Sequence, residues 1–228
     1  MIELKVSNII PRSADVWSFF MKPVGAAPES FTAGQVAVLE IEGYSQGYIA
    51  FASAPTDENY EFLVKRSPVE SALAKGLFDL KDHARVLLNK IVGHGFPAEK
   101  LVRKDLLFVG MGTGIAPLRS VARELLSHRD DFGSVVFLHG ARTGDDLYYS
   151  EEIEAEWPGK GIETRRVLSQ PTPEWSGDTG HVQNVLEGIT ERLTDPVALI
   201  CGSNEMMKQT RERLQSLGFS GDRILTNY

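Results

Sequence analysis

A single cysteine, Cys201, excludes an internal disulfide and any all-cysteine iron–sulfur site held by this chain alone. The five histidines show no HExxH or comparable zinc spacing. No apolar run reaches the length a bilayer requires, so no transmembrane segment is expected. The opening stretch MIELKVSNIIPRSADVW has no basic segment followed by an apolar core and does not read as a secretory leader. Positive charge is also short. With 24 Lys and Arg against 31 Asp and Glu, the net charge of -7 argues against nucleic acid as a partner. Internal repeats and low-complexity tracts are missing. What is left, at 42% hydrophobic residues, is an ordinary globular composition. The expectation is a cytoplasmic protein whose cofactor, if redox-active, is organic.

The 228 residues divide into two halves with different rhythm. Up to about residue 99, short runs rich in Val, Ile, Phe and Tyr are separated by turn residues: IELKVSNII, DVWSFFMK, QVAVLEIEG, GYIAFAS and YEFLVKR. Only 69–80 reads as helical there. Repeated antiparallel pairing favours a small barrel, because closure removes exposed edges. From about residue 100 the runs DLLFVG, SVVFLHGA, IETRRVLS and PVALICG alternate with helical segments at 115–127, 150–157, 181–193 and 204–217. That alternation predicts an α/β domain with a parallel sheet of five or six strands, covered on both faces. The expected fold is therefore an N-terminal antiparallel β-barrel over 1–99 and a C-terminal α/β parallel-sheet nucleotide-binding domain over 100–228.

The most telling stretch is 110-GMGTGIAPLRS-120, a strand end, a glycine-rich turn and a helix start. Such a turn brings backbone N–H groups close to a phosphate at a helix N-terminus. It is not a GxGxxG loop, since Ile115, Ala116 and Pro117 follow Gly114, and a plain strand–helix turn remains the alternative. Ligands of parallel sheets bind beyond the carboxyl ends of the strands. Gly110, His139, Gly140 and Cys201 all fall at such ends. Arg142 suits a nucleotide phosphate or an adenine face, or else a surface pair with Asp145 or Glu151.

This order of parts, with GTGIAP, 139-HGAR-142 and 201-CGSNEM-206 at successive strand ends, resembles the ferredoxin–NADP reductase superfamily over nearly the full chain. It looks closest to the compact members and to electron-transfer subunits of hydrogenases and dihydroorotate dehydrogenases. The resemblance implies a flavin, FAD or sometimes FMN, on the barrel, NAD(P)H on the α/β domain, and hydride transfer in the cleft between them. Electrons would then pass to a redox-protein acceptor or a small molecule. It places Gly112, Thr113, Gly114, Ile115 and Pro117 on the pyridine nucleotide, together with Gly140, Arg142, Gly202 and Met206. Cys201 would shape the site near the reacting nicotinamide carbon without acting as a nucleophile. Tyr228 would cover the flavin, unless it is simply a surface terminus.

The flavin half departs from the family pattern. Where an Arg-x-Tyr-Ser strand is expected, aligning the final Ala-Ser leaves Gly47, Ile49 and Ala50 in place of Arg, Tyr and Ser. Ala50, Phe51, Ala52 and Ser53 remain to meet the ring edge. Ser71 and Ala72 would offer helix N-terminal amides to its phosphate, beside an unfavourable Glu70, and Gly93 and Gly95 form the junction turn. A binding or accessory protein that has lost flavin is the alternative function. Ser169 and Gln170 stand where NADP-using relatives place a Ser-Arg pair, so NAD(H) is expected ahead of NADP(H). Lys81, Arg85, Lys90, Lys100, Arg103 and Lys104, against Asp82 and Glu99, form a basic stretch suited to an acidic redox partner or to plain solvation.

Overall fold

The computed structural model describes residues 1–67, 71–80, 85–96 and 100–227. The first sheet is antiparallel and six-stranded. Its strands are β1 (Ile2–Pro11), β2 (Val16–Pro23), β3 (Val36–Ile41), β4 (Gly47–Ala50), β5 (Tyr60–Lys65) and β6 (Arg85–Val92), ordered β4-β3-β6-β1-β2-β5. Two bulges curl it. Ser7 is the extra residue where β1 pairs with β2, and Asn89 where β6 pairs with β3. An isolated bridge between Phe51 and Phe62 joins the two edges, so the sheet rolls into a barrel. Phe19, Met21, Leu39, Phe51, Phe62 and Val86 fill its interior, and Leu73 and Leu77 of the short helix α1 (Ala72–Phe78) plug one end.

β6 is the strand that pattern reading does not find. It lies between β3 and β1, and without it the sheet would be two fragments. The bulge at Asn89 breaks the alternation by which a strand is recognised, and the Asn89 amide turns outward to Glu40 at 2.8 Å.

The second sheet is wholly parallel: β7 (Asp105–Met111), β8 (Val135–Ala141), β9 (Glu163–Leu168), β10 (Asp178–Thr179), β11 (Pro196–Cys201) and β12 (Ile224–Leu225), ordered β10-β9-β8-β7-β11-β12. Its strands bury both faces, as crossover helices require. Leu106, Phe108 and Phe137 face α2 (Ile115–Leu126), while Leu107, Val109 and Leu138 face α3 (Leu186–Thr190) and α4 (Asn204–Ser216). The expected helix at 150–157 is a π-helical turn, Glu151–Glu156, in which Trp157 N–H donates to Glu152 O. The expected helix at 181–193 is a 3₁₀ turn, Val182–Asn184, followed by the five-residue α3. Gly188, a poor helix residue, sits within that short segment.

The two sheets share one core. Val16, Ala33, Ala52, Leu63 and Phe96 from the barrel side pack in the same apolar cluster as Leu118, Val121 and Phe108. β5 is buried along almost its whole length for this reason, with Phe62 and Val64 facing the barrel interior and Leu63 facing α2's layer. None of the described helices is long and apolar enough to cross a membrane.

Candidate functional site

Two clefts flank the 112–114 turn. The first, of about 420 Å³, lies between the sheets. Ala50, Ser71, Leu73 and Lys65 contribute from the barrel side, and Thr113, Gly114, Pro117, Cys201 and Gly202 from the α/β side. The second, of about 400 Å³, lies over the carboxyl ends of the parallel strands and is lined by Gly140, Arg142, Ser169, His181, Met206 and Gln209. Part of the sequence-selected set thus lines two adjoining spaces: Ala50, Ser71, Thr113, Gly114, Pro117, Cys201 and Gly202 the first, and Gly140, Arg142, Ser169 and Met206 the second.

The turn is shaped by close backbone approach. A Cβ on Gly114 would stand 2.6 Å from the Cys201 carbonyl oxygen and 2.7 Å from the Gly202 Cα, so only glycine lets α2's start lie against the end of β11. Gly112 holds φ +57, in the left-handed region that favours glycine. Ile115 is fully buried under the turn and anchors it.

Cys201 is buried, and its thiol donates to Asn227 Oδ1 at 3.8 Å. Burial pushes that thiol up to about 12, so it stays protonated at neutral pH and is no nucleophile. Asn227 also donates to Gly34 O at 3.2 Å, which pins the tail to the barrel side and places Asn227 in the first cleft. Tyr228, to which a capping role was given, lies outside the described residues, as do Glu70 and part of the basic stretch.

The other predicted residues are placed as follows. Phe51, Ala52 and Ser53 are buried and face away from the cleft. Phe51 stacks on Phe31, Ala52 O accepts from Arg119, and Ser53 Oγ accepts from Glu61 N–H. Ser71 caps α1 by accepting from Ala74 N–H, and Ala72 is exposed in the first turn. Gly93 O accepts from Gln35, and Gly95 at φ +62 lies against the Ala33 carbonyl. Arg142 donates to Gln170 Oε1 at 3.2 Å. Met206, in the first turn of α4, packs into the core on that side of the parallel sheet, with Thr210 Oγ1 at 3.6 Å from its sulfur.

Sequence reading missed several lining residues, among them Tyr48, Lys65, Leu73 and Asn227. Tyr48, 69% exposed, stands at the mouth of the first cleft one position before Ile49. Lys65, the nearest cation on that wall, pairs with Asp15 at 3.3 Å. Leu73 fills the place an arginine at 47 would need, since a Cβ on Gly47 would meet Leu73 Cβ at 2.7 Å. These follow from pairing across the barrel and leave no local signal. Among the basic stretch, Lys104 pairs with Asp195 and Arg85 with Glu3, while Lys90 and Lys100 are exposed.

A curled antiparallel sheet and a parallel sheet meet at the 112–114 glycine turn, a bipartite fold. Residues 108–212 match the oxidoreductase NAD-binding domain family. The chain is 28% identical over 208 residues to sulfhydrogenase 1 subunit gamma of Pyrococcus furiosus, covering 90% of this chain and 70% of that protein. It covers 58% and 55% of the next two curated relatives, and so spans a little over half of their length. The latter is the reductase component of a propane 2-monooxygenase from Mycolicibacterium smegmatis, 28% identical over 86% of this chain. Its fold matches a ferredoxin NADP+ reductase from Neisseria gonorrhoeae, solved with FAD and NADP, at a TM-score of 0.82 and 20% identity over 98% of this chain and 96% of that one. The family match thus covers residues 108–212 of the parallel-sheet half, and the fold match extends over nearly the whole chain.

Proposed function

We propose that this protein takes hydride from NADH onto a bound flavin and passes electrons on to a separate acceptor. The observation that carries the reading is the first cleft, where Ala50 and Ser71 of the barrel side meet Thr113, Gly114, Cys201 and Gly202. The residues present fit a flavin. Val36, Leu63, Leu73 and Leu77 give an apolar wall for a planar ring, and Lys65, paired with Asp15, is the cation that lines that cleft. FAD is favoured over FMN because the ferredoxin NADP+ reductase whose fold this chain matches was solved with FAD.

Bound there, a flavin would supply a two-electron acceptor for the hydride of NADH, which would leave as NAD⁺. The chain's own residues position and exclude. Thr113 and Gly114 seat the nucleotide at the start of α2, and Arg142 with Ser169 line the adenosine side. Cys201, held as a neutral thiol in the wall of the first cleft, would border the nicotinamide. Purification without added cofactor, followed by the visible spectrum and identification of released nucleotide, tests this directly. A flavin band bleached by NADH under nitrogen and restored by ferricyanide is expected. A colourless protein that gains no band when incubated with FAD or FMN would favour the accessory-protein reading.

The preference for NADH rests on the neighbourhood of Gln170. Arg165 is bound bidentate by Asp178, and Arg166 pairs with Glu154 and lies over Trp175. Neither guanidinium is left for a 2′-phosphate. A charge-assisted contact is worth about 1.5–3 kcal/mol, so Gln170→Arg should raise kcat/KM for NADPH by about tenfold or more. A wild-type advantage for NADPH would instead move the phosphate to Arg142.

A further inference from the structure

Behind the first cleft, three guanidiniums and three carboxylates interlock. Arg119 of α2 is 6% exposed. Its Nη1 donates to Ala52 O at 2.7 Å and to Glu61 at 2.8 Å, and its Nε donates to Glu152 at 2.7 Å. Arg12 reaches the same Glu61 at 3.3 Å, and Arg123 joins Asp57 and Glu152 at 2.9 and 2.7 Å. Tyr149 sits at the centre. Its hydroxyl donates to Glu61 at 2.9 Å, and Arg119 and Arg12 lie over its ring at 4.1 and 4.6 Å. Tyr149 holds φ +62, a conformation a bulky L-residue avoids unless its surroundings over-determine it.

The cluster is balanced in charge, and although Asp57, Glu61, Arg119 and Arg123 line a cleft of about 350 Å³, their charges are engaged with one another. Its geometry connects two things that a hydride transfer must keep in register. Arg119 lies one turn beyond the 112–114 loop on a rigid helix. Its partner Ala52 is two residues beyond Ala50 on the flavin wall, in a segment fixed on its other side by Ala52 N–H donating to Glu61 O at 2.7 Å. A shorter side chain would keep the packing of α2 but lose this three-way span.

We propose that Arg119 is a positioning residue for hydride transfer, setting the distance between the barrel segment 50–53 and the nicotinamide-side loop. The proposal rests on reading the first cleft as the flavin–nicotinamide site. Two readouts test it in the full chain as purified, using Arg119→Met and the conservative Arg119→Lys. Hydrogen exchange at Phe51 and Ala52 should accelerate about tenfold in Arg119→Met while the β7 and β11 amides keep their protection. General destabilisation would instead raise exchange everywhere. In rapid-mixing reduction of bound flavin, the rate at saturating NADH should fall by up to about 100-fold, the effect of an ångström-scale misplacement, with the NADH Kd within twofold. Arg119→Lys, which retains one charged contact, should recover part of that rate. Unchanged exchange at 50–53, or wild-type reduction rates in both variants, overturns the proposal. If the wild-type protein takes up no flavin, the proposed function fails and the positioning role with it, even where exchange shows the local coupling between α2 and segment 50–53.

Discussion

Gly114→Val is expected to lower NADH affinity about 100-fold while leaving the fold recognisable. The new Cβ would meet backbone, the Cys201 carbonyl at 2.6 Å and the Gly202 Cα at 2.7 Å, and backbone cannot rotate aside as a side chain can. The turn must therefore lift away from the end of β11. Overpacking of this kind costs about 1–3 kcal/mol of stability. The displacement falls on the loop proposed to seat the nucleotide, where a shift of about 1 Å would cost about 100-fold. Calorimetric titration with NADH, alongside far-UV circular dichroism, measures both effects. An unaltered affinity in a folded variant would remove the turn from the nucleotide site.

His139 should make the fold acid-sensitive well above the range where carboxylates titrate. It is buried near the end of β8, and its Nε2 has no hydrogen-bond partner among the described residues. Burial pushes the imidazole down to about 3 from an ordinary 6.5, so the ring is neutral in the folded protein. The unfolded chain takes up the proton near 6.5, whereas the fold refuses it until about 3. Stability from this group is whole above 6.5 and is lost as pH falls toward 3, at about 1.4 kcal/mol per pH unit. Between pH 7.5 and 5.0, wild type should lose about 2 kcal/mol more than His139→Leu in urea unfolding. Parallel pH profiles for the two proteins would show that the ring titrates normally.

The two-sheet plan was legible because each half keeps one rhythm: alternation in the barrel strands, and apolar runs followed by helices beyond residue 100. β6 was not legible, because Asn89 breaks its period at a bulge that exists only against β3. The 112–114 turn and the residues at the ends of β8 and β11 could be chosen from spacing alone. Tyr48, Lys65 and Asn227 could not, since each reaches the first cleft through long-range pairing or a tail contact. Arg119 did leave a trace. In IAPLRSVARELL it stands among Leu118, Val121 and Ala122, on a stretch that is otherwise apolar and buried. A long cation in such surroundings must find an acid, and its acids, Glu61 and Glu152, are distant in sequence.

The shared apolar cluster changes what counts as a separable piece of this molecule. Val16, Leu63 and Phe96 are covered by α2's layer rather than by their own barrel. A cut between the sheets exposes core rather than rim on both fragments, and burial of such side chains is what holds a small domain together. Neither half is a cassette to be exchanged by joining sequences end to end. A chimera would have to carry the facing surface of the other half with it.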